Sequence, residues 1–285
     1  MHVGSTAVLD WESQIPHRTG PYSFKHLLCR EGGNLKGLEM SLSRVLHTIT
    51  APRHRHNFDQ LRIGLSGITT YGTHQKLSAR TIQYVPAGTW YGPQTWLGPE
   101  TDTPALAAVI QFDDRNKGGF LTNDKIDAAT GQLKELGEFK DGFYYPNEPR
   151  EKRAIDAFEA TWEQAAGRKI VYPPPFVDDP IYMHLDAVPW VKSPESGVEV
   201  KMIGAFGNHG LRISMSKVDV DAERVLLNTS HSVIAFCLSG EALVAGRPFP
   251  LHSAVLLEPG ETLIARGVEA TTELVEVVLP SFEDA

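Results

Sequence analysis

Two histidines one residue apart are the part of this sequence most able to do chemistry. The run His54-Arg55-His56-Asn57-Phe58-Asp59-Gln60 sets His54, His56 and Gln60 at spacings of two and four. On an extended chain residues two apart share a face, so both imidazoles can reach one ion and Gln60 returns to the same face. Across a turn, Pro86-Ala87-Gly88-Thr89-Trp90-Tyr91-Gly92-Pro93-Gln94 offers Tyr91 and Gln94 as further oxygen donors. Arg62 follows Gln60 by two and belongs on that face too. An inward arginine keeps its charge and is costly unless paired, so Arg62 either receives an anionic ligand such as a carboxylate or pairs with Asp59 or another acid.

Plainer readings stand beside these. His54 and His56 can be partly exposed strand residues bonded to neighbours, and Gln60 a hydrogen-bonding wall. Tyr91 can be a ring closing a barrel mouth with its hydroxyl bonded nearby, and Trp90 and Trp96 core or rim packing. The remaining histidines, His17, His47, His209 and His252 among them, are scattered without ligand spacing. Gly204-Ala205-Phe206-Gly207-Asn208 lacks the lysine and helix start of a phosphate loop.

The elements that must hold these residues come in a repeat. Gly37-Leu38-Glu39-Met40-Ser41-Leu42-Ser43-Arg44-Val45 reads against Gly210-Leu211-Arg212-Ile213-Ser214-Met215-Ser216-Lys217-Val218, an offset of 173. That offset also carries Leu65-Ser66-Gly67 onto Leu238-Ser239-Gly240 and Pro86 onto Pro259. A chance match does not hold register so long, and a structural duplication follows, with units near 20 to 112 and 197 to 280. Short β-branched and aromatic runs broken by Gly, Pro and Asn predict strands over 37–49, 61–65, 81–85 and 106–112. The second unit repeats them over 212–218, 233–238, 254–257 and 272–279. Many short strands at regular spacing indicate an all-β sandwich or barrel. Three parts are expected: 1–112, a connector over 113–196, and 197–285.

The connector differs in character. Ile155, Phe158 and Trp162 within 151–164 have the spacing of an amphipathic helix, a second short helix is predicted over 122–136, and Tyr172-Pro173-Pro174-Pro175-Phe176 ends regular structure. With 41% hydrophobic and 22% charged residues among 285, the chain has the composition of a soluble globular protein. A net charge of -8 argues against nucleic acid as a partner. No run of about 18 apolar residues exists to cross a membrane, and no signal peptide precedes the first strand, so the cytoplasm is the expected compartment. Cys29 and Cys237 lie in opposite halves and read as buried free thiols.

The chain resembles the cupin superfamily, whose first motif is G-x5-H-x-H-x(3,4)-E-x6-G and whose second is G-x5-P-x-G-x2-H-x3-N. Here stand His54-x-His56-x3-Gln60-x6-Gly67 and Pro86-x-Gly88-x2-Tyr91, with Thr48 and Arg80 in place of the opening glycines and Thr95 in place of the closing asparagine. The resemblance implies two double-stranded β-helix (RmlC-like jelly-roll) barrels joined by a partly helical connector. It also implies a divalent metal, one of iron, manganese, nickel or zinc, held by His54, His56, Gln60 and Tyr91. Gln60 replaces the family's carboxylate and Tyr91 its last histidine, so a weaker or differently selective site is expected. Applying the offset, His54, His56, Gln60 and Tyr91 become Leu227, Thr229, Val233 and Ile264. The second barrel is thus expected to keep the fold without the site, serving structurally at an interdomain or dimer contact.

The expected function is that of a metal-dependent enzyme acting on a small anionic organic molecule, with Arg62, Gln94 and Trp90 as substrate contacts. In outline it is similar to two-barrel dioxygenases of the gentisate and quercetin type. The alternative is a metal-free pocket for a small molecule, a sensor or a storage protein. Cupin barrels pair through edge strands, so a homodimer is expected.

Overall fold

The computed structural model describes residues 1–13, 22–30, 37–45, 50–72, 74–96, 104–113, 119–148, 153–206, 210–227 and 230–280. Thr48, Thr229, His17, His47 and His209 lie outside this part, as do the side chains of Trp96 and Leu227.

Two compact units divide the chain. One comprises Trp11–Lys25 and Cys29–Tyr182; the other comprises Met1–Asp10, His26–Leu28 and Met183–Ala285. In the first, a seven-stranded sheet runs in the order Ile181–His184, Thr81–Val85, Asp59–Ser66, Ala105–Phe112, Leu38–Val45, Tyr22–Arg30, Glu12–Ser13. A four-stranded sheet runs in the order Thr50–Ala51, Gln94–Trp96, Ile68–Tyr71, Gln75–Ser78. In the second unit the seven-stranded order is His2–Gly4, Ala254–Leu257, Val233–Ser239, Thr272–Val278, Leu211–Val218, Val198–Phe206, Val191–Lys192. Its four-stranded sheet runs Glu223–Leu227, Thr262–Gly267, Ala242–Val244, Arg247–Phe249. The two lists correspond strand for strand, so the duplication seen in sequence is a duplication of topology. Strands fall on the expected runs, 46–49 of the first lying outside the described residues, because those runs are rich in β-branched residues and bounded by turn residues at positive φ; Tyr22–Arg30, Ile68–Tyr71 and Thr262–Gly267 are strands beyond them.

The strand beside Ala254–Leu257 is the chain's own N-terminus: His2, Val3 and Gly4 pair with Leu256, Val255 and Ala254. Thr6 Oγ1 then donates to the Leu251 carbonyl at 2.8 Å. Side chains from both faces cannot be accommodated everywhere along these strands. A Cβ on Gly64 would lie 2.0 Å from the Ser78 carbonyl oxygen, so the close approach of that backbone requires glycine.

The repeat slips by one residue. Its offset is 173 through Gly67 and Gly240, which share positive φ, but 172 by the next turn, where Arg80 at φ 60° answers His252 at φ 63°. Gly88 at φ 82° likewise answers Gly260 at φ 83°. Strand register agrees, since Arg62 faces Gln83 in one barrel and Ala235 faces Val255 in the other. The structural counterpart of Tyr91 is therefore Leu263, 2% exposed, and not Ile264, which is 47% exposed. A one-residue slip in a strand exchanges the inner face for the outer one.

Two helices lie between the repeats: α1, Asn123–Leu136, and α2, Ala157–Ala166. The first falls where expected. The second begins later than its periodicity suggests, because Ile155 and Asp156 form a short strand with Tyr144 and Phe143. Asp156 then caps α2, its carboxylate accepting from the backbone N–H groups of Phe158 at 2.9 Å and Glu159 at 3.1 Å. No helix among the described residues is long and apolar enough to cross a membrane. Cys237 is a buried free thiol as expected, but Cys29 is exposed.

Candidate functional site

The first barrel holds a cavity of about 160 Å³. Alternation along Asp59–Ser66 sends Gln60, Arg62 and Gly64 into it, while Asp59 turns away to accept from the Tyr84 hydroxyl and the Ala87 N–H, both at 3.0 Å. His54 and His56 also face the cavity, although they precede that strand rather than lie on it. A backbone bridge fixes them: His54 N–H donates to the Tyr91 carbonyl at 3.0 Å, and Tyr91 N–H to the His54 carbonyl at 2.9 Å. On the far side α1 and α2 supply Ile126 and Phe158, and Phe58 and Phe120 complete an apolar wall. The His56 ring stacks on Phe58 at 4.6 Å between centroids and lies 4.4 Å from Phe158.

Polar groups converge on the Tyr91 hydroxyl. The Pro52 carbonyl accepts from His54 Nδ1 at 2.7 Å, which leaves Nε2 of the neutral ring as an acceptor for the Tyr91 hydroxyl, also at 2.7 Å. Arg62 Nη2 donates to the same phenol oxygen at 3.1 Å, and His56 Nδ1 lies 3.4 Å from it. Arg62 Nη1 donates to Gln83 Oε1 at 2.6 Å, and Gln83 Nε2 to the Tyr182 hydroxyl at 2.5 Å. The guanidinium carbon lies 5.0 Å from the Tyr71 ring centroid and 4.9 Å from that of Tyr91.

Arg62 is 7% exposed and makes no ion pair among the described residues, and the alternative of pairing with Asp59 is not realised there. Burial works against its charge, but Tyr71, Tyr91 and Tyr182 hold its pKa above the ordinary arginine value. Burial pushes the Tyr71 phenol up to about 12, so it remains a neutral ring. Gln60 is 3% exposed, and its Oε1 accepts no hydrogen bond among the described residues. The cavity thus presents a buried cation and a vacant acceptor to whatever enters.

Of the substrate contacts expected from sequence, Arg62 and Gln94 line the cavity. Trp90 does not line it: it is 41% exposed, with the guanidinium of Arg55 4.8 Å from its ring. Next to Tyr91 in an extended turn, it points the opposite way. Tyr71, Gln83, Tyr182, Phe58 and Phe158 belong to the site without being part of its motif. Phe58 had a local signal, since it lies two residues from both His56 and Gln60, whereas Gln83 meets Arg62 only through strand register.

The second barrel is an internal control. Gln60, Arg62, Gln83 and Tyr91 correspond to Val233, Ala235, Val255 and Leu263, and all four belong to one buried apolar cluster. The same topology therefore closes with an oily interior, and the polar set in the first barrel is not required for the fold.

No protein-family model and no curated protein matches this chain. Among solved structures it is similar to a proposed dioxygenase from Nostoc punctiforme, with a TM-score of 0.65 at 13% identity over 100% of this chain and 84% of that one. It is also similar to the oxalate decarboxylase of Bacillus subtilis, with a TM-score of 0.61 at 11% identity over 99% and 76%. The chain has the bicupin fold. It is similar as well to a Geobacillus kaustophilus protein, with a TM-score of 0.55 at 10% identity over 97% and 95%. Identities this low speak to fold.

The metal implied for a bicupin can be tested against the donors present. Among the described residues no three of His, Cys, Asp or Glu are grouped to hold an ion. His54 Nε2 is engaged by the Tyr91 hydroxyl, Gln60 brings a neutral oxygen where a carboxylate would bring charge, and Tyr91 is tied to a guanidinium. A like unit charge about 4 Å from another costs about 4 kcal/mol at an effective dielectric near 20, and a dication about twice that. With no carboxylate to offset this, the donor set does not fit a resident divalent ion.

Proposed function

We propose that this bicupin takes a small organic anion into its N-terminal barrel and acts on it there. The observation that carries the reading is Arg62, a buried cation with no counter-ion among the described residues, in a barrel whose duplicate closes with Ala235 at the same place. A fixed guanidinium suits a carboxylate, with which it can form paired hydrogen bonds. Gln60 Oε1 suits a donor on the same molecule, a hydroxyl or an N–H. The cavity volume is close to that of a benzene-binding cavity of about 150 Å³, so the ligand is about the size of one ring or a short chain. The wall of Phe58, Phe120 and Phe158 suits the ligand's apolar part.

The likeness to a decarboxylase and a proposed dioxygenase supports a catalytic role over storage or sensing. What the chain's own residues offer is proton transfer. Tyr91 holds a proton against His54 Nε2, and Arg62 stabilises charge that develops on the phenol oxygen, so the pair can pass a proton at that atom to or from a bound molecule. Small-carboxylate binding, read as thermal stabilisation with acetate, lactate, succinate and benzoate, tests the reading in wild type and Arg62→Met. Stabilisation by at least one of them, lost in Arg62→Met, is expected. No stabilisation by any, or an equal effect in the variant, sinks the proposal.

A further inference from the structure

We infer that Arg62 takes over the positive charge a metal ion would bring to this barrel, so that the N-terminal site works on its anion without a resident metal. The inference rests on the anion-pocket reading above.

Three features point the same way. The two imidazoles at metal-ligand spacing face the phenol oxygen of Tyr91, His54 Nε2 at 2.7 Å and His56 Nδ1 at 3.4 Å, rather than leaving a gap between them. That oxygen is bonded to Arg62 Nη2 at 3.1 Å, which puts a permanent cation where a dication would otherwise be the source of charge. The guanidinium is fixed there by Gln83, in turn held by Tyr182, and by the flanking Tyr71 and Tyr91 rings. Both departures from the motif fit one design: Gln60 in place of a carboxylate removes the anion that would pair with Arg62 and neutralise it, and Tyr91 in place of an imidazole gives Arg62 an oxygen to bond. A carboxylate at position 60 would compete with the ligand for the guanidinium; an amide does not.

The test uses the full chain purified after growth with iron, manganese, nickel and zinc, followed by elemental analysis and equilibrium dialysis against Mn(II) and Zn(II). Wild type is expected to hold far less than one equivalent, and His54→Ala and His56→Ala to leave any residual uptake unchanged. Gln60→Glu combined with Tyr91→His is expected to bind Mn(II) or Zn(II) about 100-fold more tightly than wild type. Carboxylate stabilisation of wild type is expected to survive a chelator. About one equivalent of metal in wild type, lost in His54→Ala or His56→Ala, overturns the inference, as does carboxylate binding abolished by the chelator. If the double variant fails to fold, judged by circular dichroism, the wild-type and single-variant metal contents still decide. Failure of all carboxylates to bind, with no metal present, would refute the anion reading instead, so the two failures are distinct.

Discussion

Removing one oxygen atom should expose how the site is held together. In Tyr91→Phe the ring stays packed beside Tyr71, Leu77 and Val85, so no cavity opens and the cost comes from hydrogen bonding alone. His54 Nε2, on a residue 4% exposed, loses its donor, and leaving such a buried group unsatisfied costs about 1–3 kcal/mol. Arg62 Nη2 loses an acceptor, and hydrogen bonds to charged groups contribute about 1.5–3 kcal/mol. The contact with His56 at 3.4 Å is too long to add much. The sum is about 2.5–6 kcal/mol, and at about 2–4 °C per kcal/mol for a unit of this size the melting temperature falls by roughly 5–24 °C. Differential scanning calorimetry measures this, with Tyr71→Phe as the control. Tyr71 is equally buried and flanks the same guanidinium, yet it donates none of the hydrogen bonds described at the site. Tyr91→Phe within about 0.5 kcal/mol of wild type, or no worse than Tyr71→Phe, would show that the convergence on Tyr91 contributes nothing and would refute the reasoning.

Two further outcomes are expected. Asp156→Ala removes the cap of α2 and should destabilise the first unit by about 1 kcal/mol; because α2 carries Phe158, carboxylate affinity should weaken as well, and titration calorimetry showing unchanged affinity would separate the helix from the pocket. In the second unit, burial lowers the pKa of His252, so below about pH 6.5 the unfolded chain takes up a proton that the folded one refuses. Stability is unaffected by this group above that pH and falls on acidification through it. His252→Asn keeps a residue tolerant of φ 63° and should flatten that part of the curve of melting temperature against pH; parallel curves would count against it.

Much of the molecule is legible in the order of its residues, because the signals concerned are local. Short β-branched and aromatic runs broken by glycine, proline and asparagine mark the central strands of both barrels, and the offset of 173 marks the duplication. Gln60 and Arg62 share the cavity because they alternate along one strand, and His54 and His56, two apart just before it, face the same cavity. Where local signals mislead, a longer-range partner has intervened. Ile155 has helical spacing, yet it pairs with Tyr144 and α2 starts only at its cap.

Tertiary structure alone decided what those side chains bond to. Sequence left Arg62 free to pair with Asp59, but Asp59 faces Tyr84 and Ala87, and the partners of Arg62 come from Gln83, Tyr91 and the aromatic ring of Tyr71. It marked Tyr91 as a stand-in for a metal ligand, whereas folding brings the phenol between two imidazoles and a guanidinium. Its ungapped repeat matched Tyr91 to Ile264, whereas a turn one residue shorter makes the counterpart Leu263. The physical reason is common to all three: spacing along a strand fixes which face a residue takes, but the group it meets there belongs to another strand, and inter-strand register, sensitive to a single inserted residue, is set by the closed barrel as a whole.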